Sequence, residues 1–221
     1  MPATTAPARP PRATAGPVTR WGVYAVAITA VGLGVGLMVE ADLGAAPNDV
    51  LNTGLADTFG IGVGTAAWLT GVIAMLIAWA AGRRPRIATV AGSVVVGLSI
   101  NGTLALLPTP DALAARIAFL ALGLLVVWSA ITGVVAADVG AGPLELVMLA
   151  LMDRGIGISV ARWGIEATLV ALGLLLGGAA GLGTALFAFG TGPVLALTIP
   201  RATWWLGTDL SRPTEVAATA T

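Results

Sequence analysis

The heptapeptide Ala41-Asp42-Leu43-Gly44-Ala45-Ala46-Pro47 returns as Ala137-Asp138-Val139-Gly140-Ala141-Gly142-Pro143, so one folding unit is written twice in this chain. Chance is a weak explanation, because only seven Asp residues occur in 221 and two of them occupy matched places here. Matched acids, Asp49 and Glu145, follow. With a one-residue deletion the copies stay in step: Gly60-Ile61-Gly62 aligns with Gly155-Ile156-Gly157, Trp68 with Trp163, Thr89 with Thr184 and Gly97 with Gly192. A repeat that covers nearly the whole apolar region constrains the fold itself.

The medium of that fold follows from composition. The chain is 57% apolar and 10% charged, with mean hydropathy +0.94, which puts it in the membrane class. It has no cysteine, histidine or lysine. Disulfides, thiol chemistry, imidazole metal sites, His-dependent triads, P-loop chemistry and Schiff bases all lose a required side chain. No catalytic set and no metal or other cofactor is expected. Residues 1–18, rich in Pro, Ala and Thr, read as a disordered cytoplasmic tail rather than a signal peptide, because the apolar run behind them is long enough to span.

A span needs roughly 20 apolar residues. Six are expected, near 20–39, 65–81, 87–107, 114–136, 157–177 and 183–200. All eleven basic residues are arginine. With the N-terminus in the cytoplasm, Arg116 alone falls outside, and the others sit inside or at inner helix ends, as the positive-inside rule favours. Two membrane repeats result, 19–110 and 111–207, followed by a flexible cytoplasmic tail at 208–221. Three spans per copy is an odd number, so the second copy enters from the opposite side. Inverted repeats of this kind are a transporter architecture, with substrate near the midplane.

After the first span of each copy comes a stretch too short to cross, roughly 48–58 and 144–154. Pro47 and Pro143 suit a first helical turn, Asp49 and Glu145 complement its positive dipole end, and Gly44 and Gly140 allow a tight turn before it. Each reads as a short helix, either lying on the surface or dipping shallowly inward as a half-helix at a cavity. Asp42 and Asp138 read first as boundary carboxylates that cap the following turn. Asp49 and Glu145 could also gate opposite mouths of a path. Asp57 and the Asp153-Arg154 pair read as surface charges.

Glu166 differs, because it lies about nine residues into the fifth span, which at about 1.5 Å per residue is roughly 13 Å into a core about 30 Å thick. Arg162 is one turn earlier on the same face, and the matched positions in the first copy are Ala67 and Gly71. Two readings stand side by side: an ion, proton or substrate contact, and a buried ion pair that locks helices together. Asn101 could reach the same interior, although an interhelical hydrogen bond accounts for it. Gly32-x-x-x-Gly36 and Gly173-x-x-x-Gly177 read as close helix packing. Gly190-x-Gly192-Pro193 reads as a local break in the sixth span, and Trp204 and Trp205 as an interfacial anchor.

The run Ala41-Asp42-Leu43-Gly44 through Pro47 and Asp49, the Arg162-x-x-x-Glu166 helix, Leu176-Gly177-Gly178 and the Gly183-Thr184 turn together resemble the YczE/YitT-type bacterial membrane proteins over about residues 20–200. By that resemblance Asp42, Gly44, Pro47, Asp49, Arg162, Glu166, Gly183 and Thr184 fall on characteristic positions. It implies an all-α multi-pass protein of the bacterial inner membrane and supplies no settled substrate or reaction. The expected function is secondary transport or export of a small solute, with Glu166 titrating or binding the coupled ion and Arg162 tuning it or holding an anionic group. The alternative is a non-transporting accessory protein that positions a membrane partner. Intramembrane catalysis ranks third. Expected partners are the lipid bilayer, a small solute or proton, and a second copy or membrane partner; nucleic acid is not expected.

Overall fold

The computed structural model describes residues 15–178 and 180–208, excepting the side chains of residues 158 and 159. Of the two segments read as tails, only residues 15–18 and Thr208 fall within that range. Eight helices follow one another: α1 Pro17–Glu40, α2 Pro47–Phe59, α3 Val63–Ala80, α4 Ile87–Leu106, α5 Leu113–Ala137, α6 Pro143–Met152, α7 Ile158–Leu175 and α8 Leu182–Leu206. No strand occurs among the described residues. Helix α1 begins at Pro17, inside the segment read as tail, because proline at the first helical position sacrifices only an N–H that has no helical partner there. The same device starts α2 and α6.

Five helices, α1, α3, α4, α5 and α8, are long and apolar enough to cross a membrane. Helix α7, with 18 residues, carries Arg162 and Glu166 and stands outside those five. The chain is thus an all-helical membrane protein whose elements recur in the order long, short, long, long.

Helix α1 packs between α4 and α5, and α5 packs in turn against α8. The α1–α5 seam is tight: a Cβ on Gly34 would lie 2.5 Å from a Val127 methyl, and one on Gly123 would lie 2.7 Å from Met38. Small residues at such seams let backbones approach where no hydrophobic drive separates helix from lipid. Gly32 and Gly36 serve the α1–α4 seam, against Ser99 and Thr103. The remaining helices pack across the copies, α2 on α7 and α3 on α6.

Hydrogen bonds at the helix ends fix directions. Arg20, in the first turn of α1, donates from Nε to the Ala137 carbonyl at 2.7 Å and from Nη2 to the Asp138 carbonyl and carboxylate at 2.8 and 2.9 Å. Arg116, in the first turn of α5, makes the same three bonds to the Ala41 carbonyl and to the carbonyl and carboxylate of Asp42. Helices α1 and α5 therefore run antiparallel. At the Arg20 end, Arg83 after α3 binds Asp153 after α6 at 2.5 Å, Thr89 near the start of α4 donates to the Ala141 carbonyl, and Thr208 after α8 donates to the Ala136 carbonyl. At the Arg116 end, Thr109 after α4 donates to Glu40, and the Gly183 N–H at the start of α8 donates to the Leu43 carbonyl. Helices α4 and α8 also run oppositely.

Helix α6 begins alongside the middle of α3 and ends beside the α3–α4 loop: a Cβ on Gly71 would touch the Pro143 ring at 3.5 Å, while Asp153 reaches Arg83. Helix α6 therefore lies alongside the second half of α3. Two expectations need correction. Helix α8 runs unbroken from Leu182 to Leu206 through Pro193 and Pro200, because each proline removes one intrahelical donor and the neighbouring turns keep theirs. Gly177 does not pack helices; it sits at φ +86° in the turn after α7, whereas Gly173 lies against the backbone of α2.

Candidate functional site

The most deeply buried polar group joins α2 to α3. Asp49 is 5% exposed and Asn52 is 0% exposed. The two are three residues apart on α2, so they share a face. Asn52 donates from Nδ2 to the Asp49 carboxylate at 3.0 Å and accepts at Oδ1 from Thr70 of α3 at 2.8 Å. Thr70 precedes Gly71, where the α6 proline rests, so the cluster sits near the crossing of α2, α3 and α6. Helix α7 closes it from the far side: a Cβ on Gly173 would be 2.5 Å from the carbonyl carbon of Val50, the residue after Asp49.

Two effects compete at Asp49. The helix dipole favours negative charge in the first turn by about 0.3–1 kcal/mol, reaching about 2 in partly buried settings. Burying a charge without a counter-ion costs several kcal/mol. No arginine forms an ion pair with Asp49 among the described residues. Burial wins, and it pushes the carboxyl up to about 6 against the smaller opposing pull of the Asn52 amide. The matched Glu145 of α6 is exposed, and its carboxylate folds back over Gly142.

Arg162 and Glu166 pair as their spacing requires, Nε to Oε1 at 3.1 Å, with 46% and 25% of their side chains accessible on the isolated chain. This is a half-open pair on α7, less enclosed than a midplane location suggests. Asn101 of α4 is an interhelical link: its Oδ1 accepts the Gly64 N–H at the start of α3 at 2.8 Å, and its Nδ2 donates to Thr65. It does not meet Glu166 through any hydrogen bond described. The Asn101 link is peculiar to the first copy, since the matched position in α8 is Ala196. There Gly64 and Gly97 also bring α3 and α4 backbone to backbone, with a Cβ on Gly97 only 2.5 Å from the Gly64 carbonyl oxygen. In the second copy nothing among the described residues lies within 4 Å of a Cβ on the matched Gly192, and α7 and α8 do not form a packed pair among the described residues.

The remaining motif residues are structural neighbours of these seams. Asp42 and Asp138 hold left-handed conformations, φ +48° and +50°, which Asp tolerates better than most residues, and each is clamped by the arginine of the other copy. Gly44, at φ +95°, lies against the Gly181 backbone; Gly140 lies against Ala88. Pro47 and Pro143 start α2 and α6. The Gly181 N–H donates to Thr184, closing the start of α8. Asp153 is an exposed charge, as read from the sequence, and it is gripped by Arg83, whose hydrogen bond holds its carboxyl below the usual range. Sequence reasoning missed Asn52, Thr70 and Glu40, the last nearly buried and held by Thr109 at 2.5 Å. It also missed the clamping by Arg20 and Arg116, although both arginines sit at matched places in the repeat.

Residues 18–200 match a family described as "Family of unknown function (DUF6198)". The chain belongs to this family. It is 32% identical over 170 residues to a Haemophilus influenzae protein described as "Uncharacterized protein", covering 76% of this chain and 78% of that one. It is 28% identical over 205 residues to the "Uncharacterized membrane protein YczE" of Bacillus subtilis, covering 89% and 93%. The YczE-type resemblance therefore holds. No solved structure matches the chain.

Proposed function

We propose that the protein is a secondary transporter or exporter of a small solute, built from two inverted three-span repeats in the bacterial inner membrane, and that it catalyses no covalent reaction. The observation that carries this reading is the exchange of clamps, Arg20 on Asp138 and Arg116 on Asp42, which sets matched helices α1 and α5 antiparallel. Two copies related in that way have a pseudo-two-fold axis in the membrane plane, the symmetry of alternating access. With α7 counted as the sixth span, α1, α4 and α7 cross one way and α3, α5 and α8 the other. The gathering of Arg20 and Arg83 at one end supports cytoplasmic termini. The packed α3–α4 seam beside the loose α7–α8 seam suits a molecule caught with one side shut and the other open. Glu166 and Arg162, on the loose side, are the proposed solute and ion contacts.

Proteoliposomes holding a trapped pH dye test this under an imposed potassium diffusion potential with valinomycin. The transport reading expects proton entry above that of empty liposomes, reduced at least tenfold by Glu166→Gln. Equal flux from both proteins removes Glu166 from the path. The second reading, an accessory protein, draws on an open apolar groove of about 770 Å³ along α1 and α5, lined by small residues such as Gly22, Ala27, Ala30 and Gly133. It expects no flux above empty liposomes for protons or for any solute in a panel.

A further inference from the structure

We propose that the buried carboxyl of Asp49 is a proton-binding site, and that exchange of its proton accompanies the release of α2 from α3 and α7. The second half of this statement rests on the transport reading; the first does not. Asp49 is 5% exposed, and its one side-chain partner among the described hydrogen bonds is the neutral amide of Asn52. The groups around it offer no counter-charge. Helix α3 has no titratable residue from Val63 to Ala80. Helix α7 brings Arg162 and Glu166, which pair with each other. Helix α2 adds Asp57, which is exposed, and the loop before it adds Asp42, held by Arg116.

A charged Asp49 in this setting lacks a cation, and a protonated one does not need it. A metal ion is a poor substitute, because it wants several oxygen ligands and the Asn52 oxygen already accepts from Thr70. A proton needs a single lone pair. Protonation forms one O–H bond on the carboxylate and turns a hydronium ion into water, so water has to reach a group that α7 now covers. That cover is thin in one respect: α2 and α7 meet through Gly54, Gly173 and Gly178, backbone on backbone, with few side chains to disentangle as they part. The Asn52–Thr70 bond is the polar latch on the α3 side.

Infrared pH titration of the purified full-length protein in lipid tests the site without any solute. Ordinary carboxylates, at about 3.8–4.3, are largely ionised by about pH 5, so a protonated-carboxyl band that persists until about pH 6 belongs to a raised group. Asp49→Asn is expected to abolish that band. Asn52→Leu removes the donor that favours the charged form, and is expected to move the titration upward. Because the folded chain holds this proton more tightly than an unfolded one, the melting temperature of the wild type is expected to fall as pH climbs from 3.8 through about 6. No band in that window overturns the proposal, as does a band that survives Asp49→Asn. Should Asp49→Asn fail to fold, a titration unmoved by Asn52→Leu overturns it instead. Absent flux of protons and of every solute in the panel, with the band present, removes the transport reading and leaves the site; flux without the band does the reverse.

Discussion

Arg20 and Arg116 each spend three donors on the last carbonyls and the carboxylate at the end of a helix from the other copy. Those carbonyls have no intrahelical partner, and a cation beside them also answers the negative end of the helix dipole. Hydrogen bonds to charged groups contribute about 1.5–3 kcal/mol net. Arg20→Ala and Arg116→Ala are therefore each expected to lower stability by about 2 kcal/mol, and by similar amounts, in denaturant unfolding of the detergent-solubilised protein. A large loss for one and none for the other would contradict the equivalence of the two clamps. Both arginines lie at the same offset in the repeat as the two aspartates, so the sequence contains the four residues in register. What it does not contain is the crossing: alignment pairs each arginine with the aspartate of its own copy, and only helix direction hands it to the other. The burial of Asp49 was hidden for a related reason, since a dipole argument explains Asp49 and Glu145 equally well while packing buries one and exposes the other.

Helix starts were legible, because Pro47 and Pro143 mark first turns by chemistry local to the chain. The long apolar runs marked the remaining helices to within a few residues, and the last extends past its expected end because Arg201 to Leu206 stay helical beyond Pro200. Which glycines meet a neighbour was not legible, since a glycine carries no side chain to declare a face. Gly97 and Gly192 occupy matched places, yet a Cβ on the first meets the Gly64 carbonyl and a Cβ on the second meets nothing among the described residues. Overpacking a close seam costs about 1–3 kcal/mol. Gly97→Ala is expected to destabilise by that amount in the same unfolding assay, while Gly192→Ala is neutral or gains the few tenths that alanine brings to a helix. Equal effects would mean that the two seams are packed alike.

Across the whole molecule, the proposed arrangement of two copies entering the bilayer from opposite faces would link the sequence repeat, the clamps and the unequal seams. An odd number of spans per copy predicts it, and the antiparallel runs of α1 with α5 and of α4 with α8 agree with it. The difference between seams was beyond the reach of the repeat, whose copies differ inside it at positions such as Ala196, where the first copy has Asn101. The native chain has no cysteine, so single cysteines report position without background. Ile61 and Ile156 fall in matched loops, between α2 and α3 and between α6 and α7. Labelling Ile61→Cys and Ile156→Cys in intact cells with a membrane-impermeant maleimide, before and after permeabilisation, is the most direct measurement. Ile61→Cys is expected to be labelled in intact cells and Ile156→Cys only after permeabilisation. Labelling of both from the same side would contradict the inverted halves and the transport reading that depends on them.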